Sequence, residues 1–229
     1  LNPHINLDWL FTAIKAVVHR HQILRSVIKT NPFGAHYQEV QDDRLHPLPI
    51  DTVTLTSKKA LFDALSRAVN RPFNLSEQWP LKATVYRLHD ETYMSIIVHH
   101  IAFDGWSGDI FIRDLLQAYQ AQQNDGQPPD GQDVFYRLLP PLAVQYKDYA
   151  LWQRQYLTGQ TLAEQCAFWR RQLSGYETLN LPTDHPRPNQ IDYRGATLNF
   201  KLDQSLSDRL RDAAKRLGVS LFDLLLSGY

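Results

Sequence analysis

The stretch Val98-His-His-Ile-Ala-Phe-Asp-Gly-Trp-Ser107 sets two adjacent histidines, His99 and His100, just ahead of Asp104 and Gly105. A neutral imidazole, with an unperturbed pKa of about 6.5, can take a proton from an attacking nucleophile at cellular pH or hydrogen-bond a polar transition state. Neighbouring side chains on an extended segment point to opposite faces, so both histidines cannot enter one cleft without a kink. One of the two is therefore expected to be structural. Asp104 has two possible roles: it orients a histidine, or it turns away to pair with an arginine and fix the loop. Gly105 allows either a turn with φ > 0 or the close approach of a substrate.

Other chemistries fit these residues less well. Adjacent histidines lack the i, i+4 helical spacing that turns two imidazoles toward one metal, and His4, His19, His21, His36, His46, His89 and His185 are scattered. No metal is expected. In Gly105-Trp-Ser-Gly-Asp109 the second glycine directly follows Ser107, which breaks the G-x-S-x-G nucleophile elbow and leaves Ser107 as a helix cap. The single cysteine, Cys166, is read as buried and inert. Tyr149, Trp152 and Tyr156 read first as core packing, with Trp152 a candidate for a substrate wall. No glycine-rich phosphate loop is present.

The motif needs a strand before it and a helix after it. "PLKATVYRL" and "TYMSIIV" are β-rich runs joined by a connection short enough for a hairpin, and the second delivers His99 and His100. Beyond Ser107, taken as the N-cap, Phe111, Leu115 and Ala118 or Tyr119 give a helix its apolar face. Upstream, Asn6 caps a helix marked by Leu10, Ile14 and Val17 that ends near His21; an extended "LRSVI", a turn at Asn31–Gly34 and "AHYQEV" then form a hairpin. A polar loop leads to a helix capped by Ser57 and marked by Leu61, Leu65 and Val69. Residues 123–141 read as an exposed loop, followed by helices near 142–157 and 161–173 with buried aromatics, Phe168 and Trp169 among them. "LPTDHPRPNQ" carries three prolines and is the boundary. Past it, "ATLNFKL" reads as a strand, and two helices break at Gly218.

Composition narrows the functional classes. Lys and Arg number 24 and so do Asp and Glu, so no net field draws the chain to nucleic acid or an anionic membrane. One cysteine excludes an internal disulfide framework and fits a reducing cytoplasm. Neither a membrane span nor a signal-peptide pattern is found. Leu1 is not an initiator methionine and the last helical pattern stops without a cap, so the chain is expected to be a piece of a longer one.

"HHIAFDGWS" resembles the HHxxxDGxS core of the condensation domains of nonribosomal peptide synthetases. "RHQILRSVI" at Arg20 to Ile28 resembles that family's RHExLRTxF segment, with Gln22 for Glu and Ser26 for Thr. "YKDYALWQ" at Tyr146 to Gln153 resembles YxDFAVWQ, and "LPTDHPRPNQIDYRG" resembles the crossover region that follows. The resemblance covers nearly the whole chain. It implies an α+β fold, an α/β sandwich like chloramphenicol acetyltransferase, in which two mixed-sheet lobes form a V. Residues 1–174 would be the N-terminal lobe without its first core segment, 175–195 the crossover linker, and 196–229 the truncated start of the C-terminal lobe.

The implied reaction is amide formation, in which the amine of an acceptor aminoacyl thioester attacks the thioester carbonyl of a donor. Both substrates hang from the phosphopantetheine arms of peptidyl carrier domains, and no cofactor binds the domain itself. The implied partners are the upstream donor carrier, the downstream acceptor carrier and an adjacent adenylation domain. His100 would face the tunnel as the catalytic residue, with His99 as buried support, and Gly105, Trp106 and Ser107 complete the motif. The family pattern also implies a salt bridge from Asp104 to Arg25 first and Arg20 second. Three rivals share these residues: an epimerisation domain, disfavoured by Trp106; a free-standing acyltransferase using coenzyme A, disfavoured by "RHQILR" and "YKDYALWQ"; and a non-catalytic carrier-docking module.

Overall fold

The structure, a computed structural model, describes residues 1–125, 134–180, 182–186, 189–190 and 196–228. Two compact units divide at Ser174 and Gly175. The first is organised on helix α1, Leu7–Arg20, whose N-cap Asn6 accepts the amides of Asp8 and Trp9. Its Leu10, Ile14 and Val17 recur on one face, and the small Ala13 and Ala16 between them let neighbours approach closely; all are buried. Against it pack α3, Gly105–Asp125, through Phe111, Leu115 and Ala118, and α4, Val134–Leu138, through Leu138. Polar clasps close the α1–α3 seam: Tyr119 Oη accepts the Asn6 amide at 2.9 Å, and Gln122 Nε2 donates to the Trp9 carbonyl at 2.9 Å.

The last turn of α1 and its C-cap carry His19, Arg20 and His21, and each meets a carboxylate. His19 Nδ1 lies 2.6 Å from Asp43 Oδ2, while Asp114 Oδ2, on the third turn of α3, lies 2.7 Å from His21 Nε2 and 3.4 Å from Arg20 Nη1. Asp114 is only 1% exposed, so these partners and Arg113 supply what water would otherwise give it. A 3-10 turn, Gln22–Arg25, leads on to β1, Ser26–Thr30, which pairs antiparallel with β2, His36–Val40. Gly34, at φ 79°, takes the left-handed turn between them, where Asn31 Oδ1 collects the Phe33 and Ala35 amides.

The strand that carries the motif belongs to a mixed sheet ordered β3-β4-β5: β3, Ile50–Leu55, runs parallel to β4, Leu81–Leu88, and β5, Glu91–Val98, antiparallel to it. Helix α2, Lys58–Asn70, makes the crossover between the parallel pair and is capped by Ser57, whose side chain accepts the Ala60 amide. Alternation divides the faces. Leu81 with Met94, Ile96 and Val98 meets the core under α1 and α3, whereas Tyr86, Leu88 and Tyr93 meet Leu61, Ala64 and Leu65 of α2. The hairpin turns on His89, a non-glycine residue at φ 50°.

Several expectations need correction. Strand β3 lies in the stretch read as a polar loop, because Asp51, Thr52 and Thr54 give it no apolar alternation and its partner comes from beyond α2. Within 123–141, α4 and the buried Leu138 and Leu139 replace an exposed loop, while residues 126–133 of that reading lie outside the described residues. Residues 196–202 pair with no strand among the described residues, and Leu198 and Phe200 are exposed. On α5, Tyr146–Tyr156, and α6, Gly159–Gln172, the aromatics Tyr149, Trp152, Tyr156, Phe168 and Trp169 are exposed rather than buried, and Cys166 is half-buried. In the second unit Asp203 caps α7, Gln204–Leu217, which ends at the left-handed Gly218, and a Ser220–Asp223 capping box opens α8, Leu221–Ser227.

Helix α3 starts three residues earlier than the Ser107 cap implied. Asp104 stands at the N-cap: its Oδ1 accepts the Ser107 amide at 2.9 Å and the Ser107 hydroxyl at 2.6 Å, and Ser107 Oγ accepts the Asp104 amide at 3.2 Å. Those bonds from Ser107 hold the Asp104 carboxyl below the ordinary value of 3.8.

Two outcomes are expected. Asp114→Ala strips Arg20 and His21 of their shared carboxylate and should lower unfolding free energy by about 3–5 kcal/mol, the usual cost of breaking a buried ion pair; a loss under about 1 kcal/mol in urea titration would contradict this role. For Asp104 the folded pKa is depressed, so its stabilisation is present above the unfolded pKa and is lost as pH falls through the folded one. The melting-temperature gap between wild type and Asp104→Ala should hold from neutral pH to about pH 4 and shrink below it; a gap that widens toward acid would contradict the cap.

Candidate active site

Strand β5 delivers the motif, and its last residues decide which histidine is free. The His99 amide donates to the Pro80 carbonyl at 2.8 Å, extending the β4–β5 ladder by one step. The chain then turns: the Ala102 amide donates to the His99 carbonyl at 3.0 Å, and the Ile101 amide donates to His99 Nδ1 at 3.0 Å. An Nδ1 that accepts carries no proton, so the His99 ring is set as its Nε2–H tautomer. Phe73 meets that ring edge to face at 5.6 Å and 85°. Phe73 also meets Lys82, whose Nζ is 3.9 Å from the ring centroid and donates to the Pro72 carbonyl at 3.2 Å. Desolvation, then the charge of Arg71, pulls the Lys82 ammonium below its ordinary range.

His100 lies at the turn itself and is exposed; among the described residues its side chain makes no hydrogen bond, ion pair or ring contact. The ladder ends at His99 and the chain turns at once, which leaves the pair as one fixed imidazole and one available imidazole.

Among the described residues Asp104 meets no arginine. Its carboxylate is taken by Ser107, Arg20 is taken by Asp114, and Arg25 Nη1 donates to the Gln41 carbonyl. The anticipated Asp104–Arg25 or Asp104–Arg20 bridge gives way to a local cap, because a carboxylate at an N-cap finds its donors within one helical turn. Gly105 has no positive φ, and a Cβ there would meet nothing within 4 Å, so of the two readings of this glycine the turn is removed. Trp106 is 80% exposed. Trp152 sits in an exposed ladder on α5, stacked on Tyr156 at 5.1 Å and 5.7 Å from Tyr149. The sequence reading missed Asp114 and Phe73. Asp114 left a signal, an acid at the second place of the otherwise apolar series Phe111, Asp114, Leu115, Ala118, whereas the Phe73–His99 contact left none.

Comparison with known proteins gives the family and the fold. The family model described as "Condensation domain" matches residues 1–229. N-(5-amino-5-carboxypentanoyl)-L-cysteinyl-D-valine synthase of Amycolatopsis lactamdurans is 39% identical over 95% of this chain and 6% of its own length. A dimodular nonribosomal peptide synthase of Bacillus subtilis (strain 168) is 35% identical over 100% of this chain and 9% of its own. The X-domain from teicoplanin biosynthesis superposes with TM-score 0.76 at 29% identity, over 94% of this chain and 46% of that one. The condensation enzyme VibH matches with TM-score 0.64 at 21% identity, over 97% of this chain and 49% of that one, which shows a shared fold. The chain thus spans under a tenth of these curated relatives and just under half of these solved chains. With HHIAFDGWS, RHQILRSVI and YKDYALWQ on a mixed α/β architecture, the chain belongs to the condensation-domain family of the nonribosomal peptide synthetases.

Proposed function

We propose that the chain is part of a domain that joins two carrier-bound thioesters through an amide bond, with His100 as its catalytic residue. The observation that carries this reading is the division within the histidine pair: His99 is fixed by three hydrogen bonds and Phe73, while the adjacent His100 is exposed with no partner among the described residues. The acceptor amine attacks the donor carbonyl, a C–N bond forms, the C–S bond breaks, and the amine's proton ends on the departing thiolate. An unprotonated imidazole can accept that proton on the way, or hold the amine and stabilise the tetrahedral intermediate. The substrates arrive on the phosphopantetheine arms of donor and acceptor carrier domains, beside an adenylation domain. No helix of the described residues is long and apolar enough to cross a membrane, and the lone Cys166 suits a reducing cytoplasm.

A second reading, a docking module, has one specific support: the X-domain that this chain resembles has been solved in complex with OxyB. The available His100 favours catalysis.

The test uses the complete domain with both carriers loaded, following carrier-bound product by intact mass. Wild type is expected to form the amide and His100→Ala to lose about 10²–10⁴-fold of the rate, the span of acid–base catalysis, while keeping its melting temperature. Equal rates would remove His100 from the chemistry, and carrier binding without product in wild type would favour the docking module. At Gly105, where a Cβ meets open space, Gly105→Ala should fold and stay active. Gly105→Leu should fold yet lose activity if substrate passes close by, and full activity would show that the glycine guards no passage.

A further inference from the structure

Beside the motif turn lies a pocket of about 110 Å³, walled by Ile23 and Leu24 from the 3-10 turn, Ala102 and Phe103 from the loop, and Ile110 and Phe111 from α3. We propose that it is a specificity subsite for the branched aliphatic side chain of an aminoacyl thioester, an inference that rests on the reading of His100 as the catalytic residue.

Three observations converge. The pocket's loop wall is Ala102 and Phe103, two and three residues along the chain from His100 on the same motif turn. Its walls are firm: Leu24 and Phe111 are buried, Phe103 meets Phe111 edge to face at 6.1 Å, and the Ala102 amide is tied to the His99 carbonyl. The space is also small and apolar. A cavity of roughly 150 Å³ lined by aliphatic and aromatic groups takes benzene, so about 110 Å³ suits a group of three or four carbons such as the end of a valyl or leucyl side chain.

The polar groups on the wall are already engaged. His21 Nε2 is 2.7 Å from Asp114, and Ser107 is bonded to Asp104, so neither offers a charge to a polar side chain. Ala102, the smallest of the walls, is the position at which added carbon would fill the space. Ile110, which lines the pocket and is 40% exposed, is the position at which removing carbon would enlarge it.

The first arm needs no catalysis. Isobutanol titrated into the 229-residue chain should give saturable methyl NMR shifts at Ala102, Ile110 and Leu24, abolished in Ala102→Leu. No saturable shift in a folded wild type overturns the subsite. The second arm uses the complete domain with leucyl or glycyl thioesters on the donor carrier, then on the acceptor carrier. For one of the two, Ala102→Leu should cut kcat/KM for leucyl at least tenfold and leave glycyl within twofold, in line with the about 10–200-fold that one methylene commands in an apolar site. Ile110→Ala should shift preference toward phenylalanyl, which keeps the test alive if Ala102→Leu fails to fold. Amide formation with no change in size preference at either carrier sinks the subsite alone, whereas a wild type that makes no amide sinks the catalytic reading and the subsite together.

Discussion

One buried carboxylate fixes the placement of everything around the motif. Asp114 is 1% exposed, and a charge so placed is tolerated only with partners held in place. Arg20 and His21 are those partners, and both stand where α1 gives way to the 3-10 turn. The pairing therefore joins the end of one helix to the third turn of another. The same bend receives α5: Gln145 Nε2 donates to the Arg20 carbonyl at 2.9 Å, and its Oε1 accepts the Gln22 amide at 3.1 Å. It continues directly into β1. A helix terminus, a long helix, a hairpin and a third helix thus share a few residues, and the RHQILR segment is where they meet.

From that bend the site follows by geometry. Helix α3 can begin only where its N-cap finds partners, and Asp104 with Ser107 supplies them one helical turn into the motif. At the other end, the β4–β5 ladder runs one residue past the strand, to His99 and Pro80. Between these two fixed points lie only four residues, 100 to 103, and the turn among them leaves His100 outside both hydrogen-bond systems. Strand and helix hold the loop from both sides, so the available imidazole sits on a rigid mount rather than a loose one.

Much of this was legible from the residues. Period 3.6 in Leu10, Ile14 and Val17 and alternation in the β4 and β5 runs are strong local signals, as are the caps at Asn6, Ser57 and Gly218. The expectation that adjacent histidines must part follows from strand alternation alone, and the turn at 99–102 shows how they do so. What stayed hidden was decided by partners distant in sequence. Strand β3 is polar and holds its place only through β4, while Asp104 had an arginine available in sequence but a closer serine in space. The aromatic run of α5 read as core because large rings are usually buried, yet Tyr149, Trp152 and Tyr156 stack on one another and remain exposed.

The central claim is that the two histidines differ in kind, one locked in a single tautomer and one free. Long-range ¹H–¹⁵N NMR of the imidazoles, assigned with His99→Gln and His100→Gln, reads this directly at neutral pH. The account predicts for His99 an unprotonated Nδ1 and a protonated Nε2, and for His100 averaged nitrogen shifts of a ring exchanging between tautomers. A His99 whose Nδ1 carries the proton, or a His100 frozen in one tautomer with protected exchange, would contradict it.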